Sequence, residues 1–155
     1  TATFTLTPVF YTLDVTQATG GSVSKSPDQA SYAANTVVTL TAAPAAGYTF
    51  TSWSGSITGT VSPVDITMDG DKDVSAVFTQ IEYTLTVNVL PSSAAGTVTP
   101  NVAAPYHLND VVTLSQVPSA GYTFSGWSGD GVDSGVDRVV TITGDMEVTA
   151  TYNPG

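Results

Sequence analysis

Tyr48-Thr-Phe50-Thr-Ser-Trp53-Ser-Gly55 returns later in the chain as Tyr122-Thr-Phe124-Ser-Gly-Trp127-Ser-Gly129. Tyr, Phe, Trp and Gly keep the same positions in both octets, 74 residues apart. Self-similarity at a fixed period marks a repeat architecture and decides the fold before any local propensity does. The same offset carries Tyr32 to Tyr106, Asn35 to Asn109, Pro44 to Pro118 and Gly47 to Gly121. It carries Val37-Val38-Thr39-Leu40 to Val111-Val112-Thr113-Leu114, Gly70-Asp71 to Gly144-Asp145, and Ala76-Val-Phe78 to Ala150-Thr-Tyr152. Nearer the start the register slips, and Tyr11 matches Tyr83.

The boundaries follow from these matches. Residues 9–80 form one module and 81–155 a second. Ala2-Thr-Phe4 matches Ala76-Val-Phe78, so residues 1–8 are expected to be the closing strand of a preceding copy. The junction, Thr79 to Glu82, holds neither Gly nor Pro, which predicts a stiff connection rather than a flexible linker.

Each module reads as strand after strand. Tyr83-Thr-Leu85-Thr-Val87-Asn-Val89 alternates apolar and polar, the period of a half-buried strand. Further strands are expected at residues 96–99, 111–114, 122–127, 140–142 and 146–152, the last two joined by a tight turn at Gly144-Asp145. Short helical turns are allowed only at 28–34 and 101–106. The fold class is therefore all-β: two tandem small modules of five to six mostly antiparallel strands each, as a sandwich or a grasp-like sheet.

Composition narrows the function. Charged residues are 10% of the 155, against about 25% in ordinary soluble domains. The net charge is −10, and Lys25, Lys72 and Arg138 are the basic residues. Phosphate neutralisation needs clustered Lys and Arg, so nucleic acid is not an expected partner. Anionic membrane surfaces are disfavoured for the same reason, and no apolar run is long enough to insert into a bilayer. With no cysteine there is no disulfide framework or thiolate chemistry. His107 is the sole histidine and its counterpart is Ala33, which argues against zinc and against a repeated catalytic triad. Thirteen acids leave paired carboxylates conceivable by count, but they sit in turns of small modules with no evident cleft. The chain is expected not to be an enzyme.

Two sets of side chains invite a binding role. If β-alternation ran unbroken, Trp53 and Trp127 would lie opposite Phe50 and Phe124, exposed as stacking platforms for sugar rings. A bulge at Thr51-Ser52 or Ser125-Gly126 would instead return each indole to the core. Asp69, Asp71 and Asp73, and separately Asp130, Asp133 and Asp137, are spaced like calcium-loop carboxylates, though neither set completes a twelve-residue loop ending in Glu. The alternative is that these aspartates make turns and guard strand edges. Apart from calcium, no cofactor is expected. Tyr11, Tyr32, Tyr48, Tyr83, Tyr106 and Tyr122 are expected to cap the core with their hydroxyls in water.

Val38-Thr-Leu40-Thr-Ala42, Pro44, Gly47 to Gly55, Ile66-Thr-Met68 and Asp71 to Phe78 form one ordered motif, repeated in the second copy with Ser115 and Val140-Thr-Ile142. This motif resembles the divergent internalin B-repeat family of bacteria over nearly the whole chain, twice. The resemblance implies small β modules in tandem on large secreted or surface-anchored proteins, with no catalytic residues. It implies a structural stalk, spacer or filament segment, extracellular or at the cell surface. The alternative is a carbohydrate-binding accessory module that targets a parent enzyme or adhesin to polysaccharide. Expected partners are neighbouring repeats, polysaccharide, and further copies through head-to-tail self-association of the residue 1–8 strand.

Overall fold

The computed structural model describes residues 7–16 and 18–155, so most of the strand expected at residues 1–8 lies outside the described residues. Thr7 to Val9 belong to no strand. The chain divides into two compact units at Gln80/Ile81. Among the described residues there is no helix, and the segments read as short helical turns form bends and bridges instead. In the first of them Tyr32 and Ala33 are themselves a short strand.

The first unit holds β1 (Phe10–Tyr11), β2 (Leu13–Thr16), β3 (Gly21–Ser26), β4 (Tyr32–Ala33), β5 (Val37–Pro44), β6 (Tyr48–Gly55), β7 (Val64–Thr67) and β8 (Lys72–Gln80). β3, β5 and β7 make one antiparallel sheet, β2, β8 and β6 a second, and β1 pairs only with β4. The second unit holds β9 (Leu85–Leu90), β10 (Gly96–Pro100), β11 (Val111–Pro118), β12 (Tyr122–Gly129), β13 (Val132–Ser134), β14 (Asp137–Thr141) and β15 (Met146–Pro154). Here the sheets are β10-β11-β14-β13 and β12-β15-β9. The units exceed the five to six strands expected because β1, β4 and β13 are only two or three residues long and carry no readable alternation.

One pairing was not legible in the sequence. The first long strand of each unit runs parallel to the last: β2 beside β8, and β9 beside β15. The match of Gly70-Asp71 to Gly144-Asp145 has its use here. Asp71 Oδ1 accepts the Thr12 amide at 2.9 Å, and Asp145 Oδ1 accepts the Thr84 amide at 2.9 Å. The Thr12 and Thr84 carbonyls in turn accept from Lys72 and Met146, each at 2.9 Å. Each turn aspartate thus pins the entering strand against the closing one at the point where parallel pairing begins.

The core of the first unit lies between its two larger sheets, where Val38, Leu40 and Ile66 meet Leu13, Trp53, Val74 and Ala76. In the second unit Val112, Leu114, Val140 and Ile142 pack with Val148, and Ala95, Ala150 and Tyr152 form an adjoining cluster. Tyr32 and Tyr106 depart from the wet-hydroxyl expectation. Both are buried, and their hydroxyls donate to the Pro27 carbonyl at 2.6 Å and the Val102 carbonyl at 2.8 Å, so a backbone acceptor replaces water. Tyr152 is different: it is 2% exposed and its hydroxyl oxygen finds no partner. Burial pushes its phenol pKa above the ordinary value. Phe78 is the residue at the matching place in the first unit. Tyr152→Phe is therefore expected to stabilise the second unit by about 1 kcal/mol, the cost of leaving a buried hydroxyl unpaired, as measured by urea unfolding.

Candidate functional site

The strand that carries each Trp is bulged. Phe50 pairs with Phe78 and Ser52 with Val77, so Thr51 is an extra residue; Phe124 pairs with Tyr152 and Gly126 with Thr151, so Ser125 is extra. One added residue inverts the side-chain parity beyond it. Trp53 and Trp127 therefore point to the same side as Phe50 and Phe124, with ring centroids 5.1 and 5.4 Å apart. The Trp53 indole N–H donates to the Val61 carbonyl at 2.8 Å, and that of Trp127 to the Val136 carbonyl at 3.0 Å.

The two indoles are not equivalent. Trp53 is 3% exposed, which leaves no ring face for a sugar, and the stacking role considered for it is corrected on that ground. Trp127 is only half-buried. The loops that follow the two rings also differ. Ile57 packs against the first core, whereas its counterpart is Gly131, which has no side chain to offer. Val132–Ser134 and Asp137–Thr141 instead pair as the β13–β14 hairpin, and residues 130–136 are exposed.

That hairpin is held by Arg138, which sequence reasoning passed over because its match in the first module is Val64. Arg138 is buried. Its guanidinium donates to the Gly129 carbonyl at 2.8 Å, the Asp130 carbonyl at 3.1 Å and Asp133 Oδ1 at 2.6 Å. A planar fork serves three acceptors in fixed directions, which an ammonium cannot. Arg138→Ala is expected to cost the second unit about 2 kcal/mol, with Arg138→Lys recovering little, in urea unfolding followed through Trp127.

The aspartates considered as calcium ligands are not gathered. Among the described residues no three His, Cys, Asp or Glu side chains are placed to share a metal. Asp69 pairs with Lys72 at 2.5 Å, and this hydrogen bond holds its carboxyl below the usual carboxylate range. Asp71 holds the Thr12 amide, and Asp73 accepts from the Thr16 hydroxyl at 3.4 Å. Asp130 Oδ2 accepts the Glu147 amide at 2.9 Å, the place filled in the first unit by Ser56 Oγ on the Asp73 amide at 3.0 Å. Asp133 serves Arg138, and Asp137 stands on β14 opposite Ser134. These side chains are not brought together, and most of them accept from protein donors instead. His107 likewise stays local, with Nδ1 3.7 Å from Asp110.

Among the described residues, the second unit also carries an open groove of about 500 Å³, lined by Glu82, Tyr83, Thr84, Leu85, Pro105 and Tyr106 among others. No helix is long and apolar enough to cross a membrane among the described residues.

Neither a curated protein nor a solved structure matches the chain. A family model does, twice in tandem, over residues 11–82 and 83–155, and its two matches meet within two residues of the boundary between the compact units. With a repeat period, a bulged Trp strand and a pinned parallel strand common to both copies, the chain belongs to the divergent InlB B-repeat domain family.

Proposed function

We propose that this chain is a non-catalytic pair of repeats from a larger bacterial surface or secreted protein, serving as a length of extracellular stalk or spacer. Membership of a tandem-repeat family supports this reading. The observation that carries it is the fate of the side chains that could do chemistry. The repeated aspartates, tryptophans and glycines are used in bulges, strand pins and core contacts, and each unit closes its own core. Such units suit addition in a row, where length grows with copy number and no single copy is indispensable. Low charge, abundant Thr and Ser, and the lack of cysteine fit a surface exposed to variable surroundings.

The test is small-angle X-ray scattering on proteins with two, four and six copies. A stalk gives a maximum dimension that rises by a constant increment per copy. A maximum dimension that stays nearly constant as copies are added would sink the reading.

A further inference from the structure

The first and last long strands of each unit lie side by side and run the same way. That arrangement fixes how a unit meets a pull along the chain. In the second unit Leu85 stands beside Met146, and Leu90 beside Thr151. The chain enters β9 from Thr84 and leaves β15 after Pro154, at the opposite end of the pair. A pull through the chain therefore drives the two strands past each other along their own length. The bonds of a parallel pair are evenly spaced, so they share the strain and none opens far ahead of the rest.

Both copies reinforce this pair with side chains. At the entering end Asp71 holds the Thr12 amide and Asp145 the Thr84 amide, each at 2.9 Å. Further along, the Thr16 hydroxyl donates to Asp73 at 3.4 Å, and the Asn88 side-chain amide donates to Glu147 Oε1. Thr16 and Asn88 occupy matching places, as do Asp73 and Glu147, so the link across the strands persists although its donor and acceptor differ. The core covers the inner face of the pair. Leu13 and Val15 pack with Val74 and Ala76 in the first unit, and Leu85 and Val87 with Val148 in the second. A slip of one residue would carry Thr86 and Asn88 toward that core, so the strands cannot creep into a new register.

We propose that the parallel pair, β2–β8 in one unit and β9–β15 in the other, is a mechanical clamp that keeps each repeat folded under tension along the chain. Its use rests on the stalk reading, but its test does not, because scattering reads length and stretching reads resistance to force.

The experiment is constant-force stretching of the whole chain in optical tweezers, with handles on introduced cysteines, since the native chain has none to compete. Glu82→Cys with Gly155→Cys pulls the second unit along the β9–β15 pair. Glu82→Cys with Thr143→Cys pulls the same two strands apart from their shared end. At equal force the first should stay folded at least about tenfold longer, since several hydrogen bonds must break together rather than in turn. Along that first direction Asp145→Ala should unfold about tenfold faster, through loss of a hydrogen bond to a charged acceptor. Arg138→Ala weakens the same unit in urea, but Arg138 donates to no residue of either terminal strand. It should change the rate under force by less than about twofold, because its hairpin is still intact when the clamp gives way. Equal lifetimes in the two directions, or an Arg138→Ala effect as large as that of Asp145→Ala, would overturn the clamp and leave the stalk standing. Resistance that depends on direction, with no growth of length in scattering, would keep the clamp and remove the stalk.

Discussion

Trp53→Ala is expected to remove most of the stability of the first unit. Trp53 lies 3% exposed between the two sheets, against Phe50, with its N–H on the Val61 carbonyl. Truncating a buried aromatic of this size costs about 3–5 kcal/mol, through lost contact and the cavity left behind. A domain of this length has roughly 4–11 kcal/mol in total. The variant should therefore melt its first unit far below the wild type, while the core of the second unit is untouched in composition. Urea unfolding resolved by NMR reads the two separately. Trp53→Phe should cost less, since a smaller ring still fills most of the space, although part of the packing and the hydrogen bond to the loop are lost. Trp127→Ala should also cost less, because its ring is already half in water. A loss below about 1 kcal/mol for Trp53→Ala would contradict its role as a core anchor.

Gly55→Ala and Gly129→Ala should be nearly as damaging, for a backbone reason. Their φ angles are +93° and +88°, where side chains are rarely tolerated. A Cβ at Gly55 would lie 2.3 Å from the Asp73 carbonyl oxygen, and one at Gly129 would lie 2.5 Å from that of Glu147. Those same carbonyls accept the next amides, Ser56 at 2.8 Å and Asp130 at 2.9 Å. The added methyl must therefore displace a hydrogen-bonded carbonyl as well as bear the strained φ. Together these should cost about 3 kcal/mol in each unit. Gly70→Ala is the control, since nothing stands within 4 Å of its Cβ direction, and it should change stability by less than about 0.5 kcal/mol. Chemical denaturation of the three variants side by side decides the matter. Equal, small effects would show that the Trp-Ser-Gly turn has room the structure denies it.

These two residue types differ in how far the sequence revealed them. The Trp-Ser-Gly repeat could be seen by eye, and it marked the place as important without saying why. Parity along an unbroken strand put the indoles outside and a bulge put them inside. The choice could not be made locally, because a bulge exists only relative to a partner strand. Trp53 and Trp127 share a motif yet differ in burial, and the loops that follow them, with Ile57 in one and Gly131 in the other, lie where the copies diverge. The aspartates repeat the lesson. Their spacing resembled a metal loop, but spacing along a chain does not say which way successive side chains point. Asp71 and Asp145 turned out to hold the amides of Thr12 and Thr84, which lie 59 and 61 residues away. Arg138 and Glu82 were silent in the sequence for the opposite reason. Neither recurs in the other copy, and a search guided by repetition passes over what is not repeated.

The sequence by itself determined that this is an all-β chain of two copies of one module, with its main strands near residues 37–40, 48–53, 111–114 and 122–127. It also determined the family, because alternation, turn residues and a long periodic motif are local properties written in order along the chain. Tertiary structure alone decided that the first strand of each unit runs parallel to the last, that one extra residue turns each Trp inward, and that most of the aspartates are spent on protein donors. Those outcomes depend on which distant segment lies alongside, and hydrogen-bond partners across a sheet are chosen by the packing of two faces rather than by neighbours in the chain.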